Sequence, residues 1–96
     1  MCLGGVGAVS VASHVVGKEI SQMFSAFESG DIKKARNIHY SLLDIFKVLF
    51  CAPRPAPTKA ALEMLGFPVG SVRLPLTSLS DENYNKIRTI INKLNF

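Results

Sequence analysis

The sequence predicts a mostly α chain, one short strand followed by about four helices. Three observations carry this. From Val16 to Leu94 the large apolar residues recur at spacings of three and four, the period of an α-helix. Only Leu3 to Val11 shows a β-branched run without that period. Each periodic stretch is bounded by residues that start or stop helices: Ser13, Gly30, Asp31, the prolines from Pro53 to Pro57, Gly66 and Ser80.

Taken in order, Leu3-Gly-Gly-Val-Gly-Ala-Val-Ser-Val11 reads as a glycine-rich turn leading into a buried strand. A lone strand cannot satisfy its own backbone ladder, so its neighbours are expected on another chain or in another part of a longer one. Val16, Ile20, Met23, Phe24 and Phe27 then form one face of a helix with Ser13 as its N-cap and Gly30 as its stop. Asp31 is placed to cap a second helix. Its stripe of Ala35, Ile38, Leu42, Ile45, Phe46, Leu49 and Phe50 broadens toward the C-terminal end.

Pro53-Arg54-Pro55-Ala56-Pro57 ends that helix and predicts an extended connector, because each proline removes a donor and restricts the residue before it. A short helix from about Pro57 to Leu65 follows, with Pro57 at its first position, stopped by Gly66 and Pro68. Val69 to Leu79, with Gly70 and Pro75, predicts an irregular packed loop. Ser80 caps the last helix, Asp81 and Glu82 favour its positive end, and Leu79 can staple onto Tyr84. The buried face is Tyr84, Ile87, Ile91 and Leu94.

Composition narrows the function. With 96 residues, 48% hydrophobic and 19% charged, the chain is an ordinary globular domain with a modest core. The 11 Lys and Arg against 7 Asp and Glu give a net charge of +4. They are scattered, with no run longer than Lys33-Lys34 and no interleaved aromatic platform, so no nucleic-acid partner is expected. Cys2 and Cys51 lack the spacing of a zinc site or disulfide framework, which points to a reducing, cytoplasmic setting and no metal. No apolar run approaches membrane-spanning length, and Met1 to Val16 lacks a basic leader, so neither a membrane span nor an export signal is expected.

Candidate chemistry is sparse. Gly4, Gly5 and Gly7 precede a strand and a helix, yet neither a complete GxGxxG nor a P-loop is present, and tight turns are the simpler reading. His14 and His39 have no carboxylate or cysteine at relay spacing, and Ser10 is not in a GxSxG elbow. Lys18 and Lys59 sit in amphipathic helices where solvated lysines are the rule; a Schiff-base lysine needs desolvation or a neighbouring cation. No catalytic residue is assigned.

Three segments, in their order along the chain, are specific. Leu-Gly-Gly-Val-Gly-Ala-Val-Ser-Val-Ala-Ser-His-Val-Val-Gly from Leu3, Pro-Ala-Pro-Thr-Lys-Ala-Ala-Leu from Pro55 and Val-Arg-Leu-Pro-Leu from Val72 resemble the dihydrodipicolinate synthases. The resemblance covers essentially the whole chain. It implies that residues 1–30 are the last strand and helix of a (β/α)8 TIM barrel, and residues 31–96 an appended C-terminal helical subdomain. In that family a lysine Schiff base condenses pyruvate with aspartate semialdehyde in lysine biosynthesis, without cofactor or metal; related lyases act on sialic acid and keto-sugar acids.

The resemblance also implies that the Schiff-base lysine, relay tyrosines, threonine pair and carboxylate-binding arginine precede residue 1. What carries over is a pocket edge: Val9 matches the residue whose carbonyl borders the active site, and Gly4, Gly5 and Gly7 the loop before it. Arg54, Ala56 and Thr58 stand where Asn, Ile and Val are commoner. Such a barrel needs about 250 residues and eight strands.

The leading expectation is therefore a C-terminal segment of such a lyase, inactive alone, with pyruvate a ligand only of the complete enzyme. Its partners would be a barrel portion, in the same chain or separately encoded, or a second copy through the helix face Val16, Ile20, Met23, Phe24 and Phe27. The alternative is a free-standing helical module for oligomerisation or protein interaction.

Overall fold

The computed structural model describes residues 1–94. Four helices follow one another: α1 (Ser13–Glu28), α2 (Ile32–Val48), α3 (Ala56–Met64) and α4 (Asp81–Lys93). The mostly α fold read from the sequence is thus the one found. Two compact units, Met1–Leu42 and Leu43–Phe96, divide within α2.

Among the described residues there is no strand. Residues 5–10 lie outside helix, turn and ladder, and Leu3, Val6 and Val9 are fully exposed. The strand expected at Leu3–Val11 has no neighbour to pair with, and a strand exists only through its ladder. Before it, the N–H of Gly4 donates to the Met1 carbonyl at 3.0 Å, closing a turn with Gly4 at φ 92°.

In the first unit, α1 starts one residue earlier in capping terms than expected. Ala12 is the N-cap, without a side-chain bond, while the Ser13 hydroxyl donates to the Ser10 carbonyl at 2.6 Å and is thereby diverted from capping. Val16, at φ −123° and ψ 33°, kinks the helix. The far end closes as a Schellman motif. Gly30, at φ 87°, donates to Phe27 O and Asp31 to Ala26 O. Asp31 then caps α2, its Oδ1 accepting from the Lys34 N–H at 3.1 Å.

The apolar stripe of α2 is buried at Ala35, Leu42, Ile45 and Val48, and Leu49, one residue past the helix, is buried as well. Phe50 does not continue it: the helix ends at Val48, and Phe50 is 56% exposed with the Arg54 guanidinium 4.7 Å from its ring centroid. The proline connector is also more compact than expected, a run of bends and turns over residues 51–55 rather than an extended strap. Its prolines fix φ near values that tight turns accept as readily as extended chain.

In the second unit α3 begins at Ala56, which places Pro57 second rather than first in the helix, still ahead of any lost intrahelical bond. Gly66, at φ 97°, repeats the Schellman closure, with Gly66 donating to Glu63 O and Phe67 to Leu62 O. Val69 to Leu79 is irregular as expected but not packed: Val72, Leu76 and Leu79 are half-buried and the other residues are exposed. Ser80 caps α4, its hydroxyl accepting from Asn83 N–H at 3.3 Å; Asp81 and Glu82 open that helix and Lys93 closes it, matching the helix dipole. α3 packs on α4. The core here holds Ala60, Ala61, Ile87 and Ile91, with Tyr84 and Leu94 half-buried at its edge.

Candidate functional site

Two concave surfaces, one in each unit, collect the side chains with chemical or binding capacity. In the first unit the C-terminal half of α1 and the first turns of α2 frame an apolar groove of about 540 Å³. Met23, Phe24 and Phe27 line one side, Ile32 and Ala35 the other, and Arg36 and His39 lie at its rim; Met1 and Cys2 also border it. Helical periodicity puts Met23, Phe24 and Phe27 together at spacings of one and three. Ile32, Ala35, Arg36 and His39 follow from the second helix at three, one and three.

The helix face expected for self-association is therefore divided. Val16 and Ile20 are already buried, at 0% and 8% exposure, whereas Met23, Phe24 and Phe27 remain half-buried in the groove. The expectation that all five stand uncovered is corrected for the first two. A chain this short buries whatever apolar surface it can reach, and Val15 and Ala26, not singled out in the sequence, are buried with them.

The residues matched to a pocket edge, Gly4, Gly5, Gly7 and Val9, are all exposed on the segment ahead of α1. They stand together only by succession along the chain. His14 is exposed at the start of α1. The His39 ring centroid lies 5.9 Å from that of Tyr40, tilted by 50°. Lys18 borders a polar hollow with Gln22, Asp31 and Lys34.

In the second unit a cleft of about 270 Å³ is lined by Ala56, Lys59, Ala60, Glu63, Val72 and Tyr84, among others. Lys59 is not a poised amine: its Nζ donates to the Ser71 carbonyl at 2.9 Å, tying α3 to the loop after it. No periodicity reveals such a tie, because it joins a long side chain to a backbone oxygen twelve residues on. Beside it on α3, Thr58 is buried and its Oγ1 has no hydrogen-bond partner. Among the described residues no helix is long and apolar enough to cross a membrane.

Comparison with known proteins gives one consistent answer. Residues 1–94 match the model of a family described as the dihydrodipicolinate synthetase family. The chain is 51% identical over 94 residues to the 4-hydroxy-tetrahydrodipicolinate synthase of Listeria innocua, 98% of this chain and 32% of that protein. It is 45% identical over 95 residues to the protein of the same name from a Cyanothece species, again 32% of its length. Among solved structures, a dihydrodipicolinate synthase from Bacillus anthracis superposes with a TM-score of 0.92 at 46% identity, covering 96% of this chain and 32% of that one. One from Cyanidioschyzon merolae, solved with lysine bound, gives 0.90 at 43% identity, with 95% and 31% covered. The chain thus spans about a third of the length of the relatives it matches.

Proposed function

Since the chain belongs to the dihydrodipicolinate synthetase family, we propose that it forms the C-terminal third of a lyase that condenses pyruvate with aspartate semialdehyde in lysine biosynthesis. Residues 1–30 would be the last barrel strand and the helix behind it, and residues 31–96 the helical subdomain that follows. Acting in the cytoplasm, this segment closes the barrel and holds one edge of its pocket. It does not carry the reacting lysine.

The observation that carries the reading is the segment Leu3–Val9. Its large apolar residues are fully exposed and its backbone lacks a ladder. Strands of parallel barrels are buried on both faces, and read as apolar on both. Leu3 and Val9 fall on one face of an alternating strand and Val6 and Ala8 on the other, so a strand laid here needs cover on both sides. A barrel supplies that cover, and its strand would carry the Val9 carbonyl toward the C-terminal mouth where barrel enzymes keep their chemistry, with Gly4, Gly5 and Gly7 in the loop that enters the strand.

The 96 residues alone are then inactive. An eight-stranded barrel needs its other strands, and the Nζ of Lys59 is engaged with the Ser71 carbonyl beside an open loop rather than facing a pocket of barrel strands. The test is a chimera. Replacing the matching third of the Listeria innocua synthase by this sequence is expected to give a folded protein that condenses pyruvate with aspartate semialdehyde. A folded chimera without that activity would count against the assignment.

A further inference from the structure

We propose that Ser13 is a positioning residue for the pocket edge: its hydroxyl fixes the turn through which the last barrel strand passes into α1, and so holds the neighbouring Val9 carbonyl in place. The inference rests on the family reading above. It deepens that reading by naming the side chain that sets this edge and the substrate that feels it.

The Ser13 hydroxyl donates to the Ser10 carbonyl at 2.6 Å. Ser29 and Ser41 also donate to a carbonyl three residues back, at 3.0 Å to Ala26 and 2.6 Å to Ile38, but those acceptors lie within helices α1 and α2 themselves. Such back-bonding is an ordinary habit of serines on helices. Ser10 differs because it precedes α1. This bond therefore joins the helix to the segment ahead of it, and its two partners are three residues apart, so a barrel packed around them leaves the tie intact.

The turn has need of it. Val16 departs from helical geometry, at φ −123° and ψ 33°, so the first turn of α1 is not a rigid extension of the helix behind it. The N-cap, Ala12, makes no side-chain bond. Backbone bonds from His14 N–H to Val11 O at 3.3 Å, and from Val15 and Val16 N–H to Ala12 O at 3.0 and 2.9 Å, shape residues 11–16. The Ser13 hydroxyl carries the constraint back to Ser10, the residue next to Val9.

In a (β/α)8 barrel the turn after a strand stands at the mouth where the chemistry is done. A backbone carbonyl there can only accept a hydrogen bond. Of the two substrates in the proposed condensation, pyruvate at neutral pH brings no N–H or O–H, whereas aspartate semialdehyde brings an ammonium group. A turn loosened at Ser10 is expected to disturb the second substrate and spare the first.

The chimera of the Listeria innocua synthase carrying this sequence is the test protein. Ser13→Ala is expected to lower kcat/KM for aspartate semialdehyde about tenfold, the worth of one hydrogen bond in the transition state. The value for pyruvate should stay within about twofold of the parent, at an unchanged thermal transition. Ser13→Thr, which keeps the hydroxyl, is expected to retain the parent kinetics, and Ser41→Ala, which deletes the like bond inside α2, to change neither substrate. Equal losses for both substrates, a Ser13→Thr variant as impaired as Ser13→Ala, or a Ser13→Ala variant with parent kinetics would overturn the proposal and leave the family reading standing. A folded parent chimera without activity would overturn that reading and the proposal with it.

Discussion

Thr58→Val is expected to make this protein more stable, although it removes a polar group. Thr58 is 6% exposed in the first turn of α3, and its Oγ1 is buried with no partner. A buried hydroxyl without a hydrogen bond forfeits its hydration, at about 1–3 kcal/mol in protein mutational series. Valine keeps the β-branched shape and the methyl contacts, so only the unsatisfied oxygen is exchanged, and the expected gain is about 1–2 kcal/mol. Thr58→Ser makes the complementary change, keeping the hydroxyl and deleting a buried methyl, and should cost about 1 kcal/mol. Urea unfolding at a fixed protein concentration reads both. With a slope of about 1 kcal/mol per molar for a chain of this size, the valine midpoint should rise by about 1–2 M and the serine midpoint fall by about 1 M. A valine variant with a lower midpoint at unchanged slope would refute the reasoning, since the hydroxyl would then have a partner worth more than its desolvation.

Ile87 is fully buried where α4 meets α3, so Ile87→Ala should cost about 2–5 kcal/mol and shift or abolish the thermal transition seen by circular dichroism. Gly66→Ala places a Cβ at φ 97° in the closing turn of α3; about 1 kcal/mol of destabilisation is expected, measured by the same melt, with Gly70→Ala as a second positive-φ site outside any helix closure. Lys59→Met removes the tie to the Ser71 carbonyl. Faster amide exchange across residues 69–73, with that of α4 unchanged, is the expected result, and uniform exchange throughout would deny the tie a local role.

Local chemistry was what the sequence displayed best. Asp31 and Ser80 cap their helices as expected because a cap is decided within four residues. Gly30 and Gly66 stop theirs because only a residue at ease with positive φ completes the Schellman turn. Ser13 misled for an equally local reason: its hydroxyl found the Ser10 carbonyl first. What depends on distant partners was not legible. The strand at Leu3–Val11 has the right residues and no ladder. The burial of Val16 and Ile20 beside half-exposed Met23, Phe24 and Phe27 cannot be told from a stripe whose five members look alike.

The candidate site was legible in a different way. Three motifs pointed to the family, and the match over residues 1–94 agrees with them. Yet the residues they bring, Val9 and the glycines before it, offer backbone rather than reactive groups. The groove could have been found from the two stripes that border it, since Phe27 and Ile32 face each other across the Gly30 turn. The tie from Lys59 to Ser71 and the orphaned hydroxyl of Thr58 carried no signal in spacing at all.

The most direct test of the account is borohydride trapping with pyruvate, read by mass spectrometry, on the 96-residue chain alone and on the chain mixed with the upstream two-thirds of the Listeria innocua synthase. The account expects no reduced pyruvate adduct on this chain in either sample, with any adduct in the mixture on the barrel portion. A borohydride-stable pyruvate adduct on Lys18, Lys59 or any other lysine of the isolated chain would contradict it.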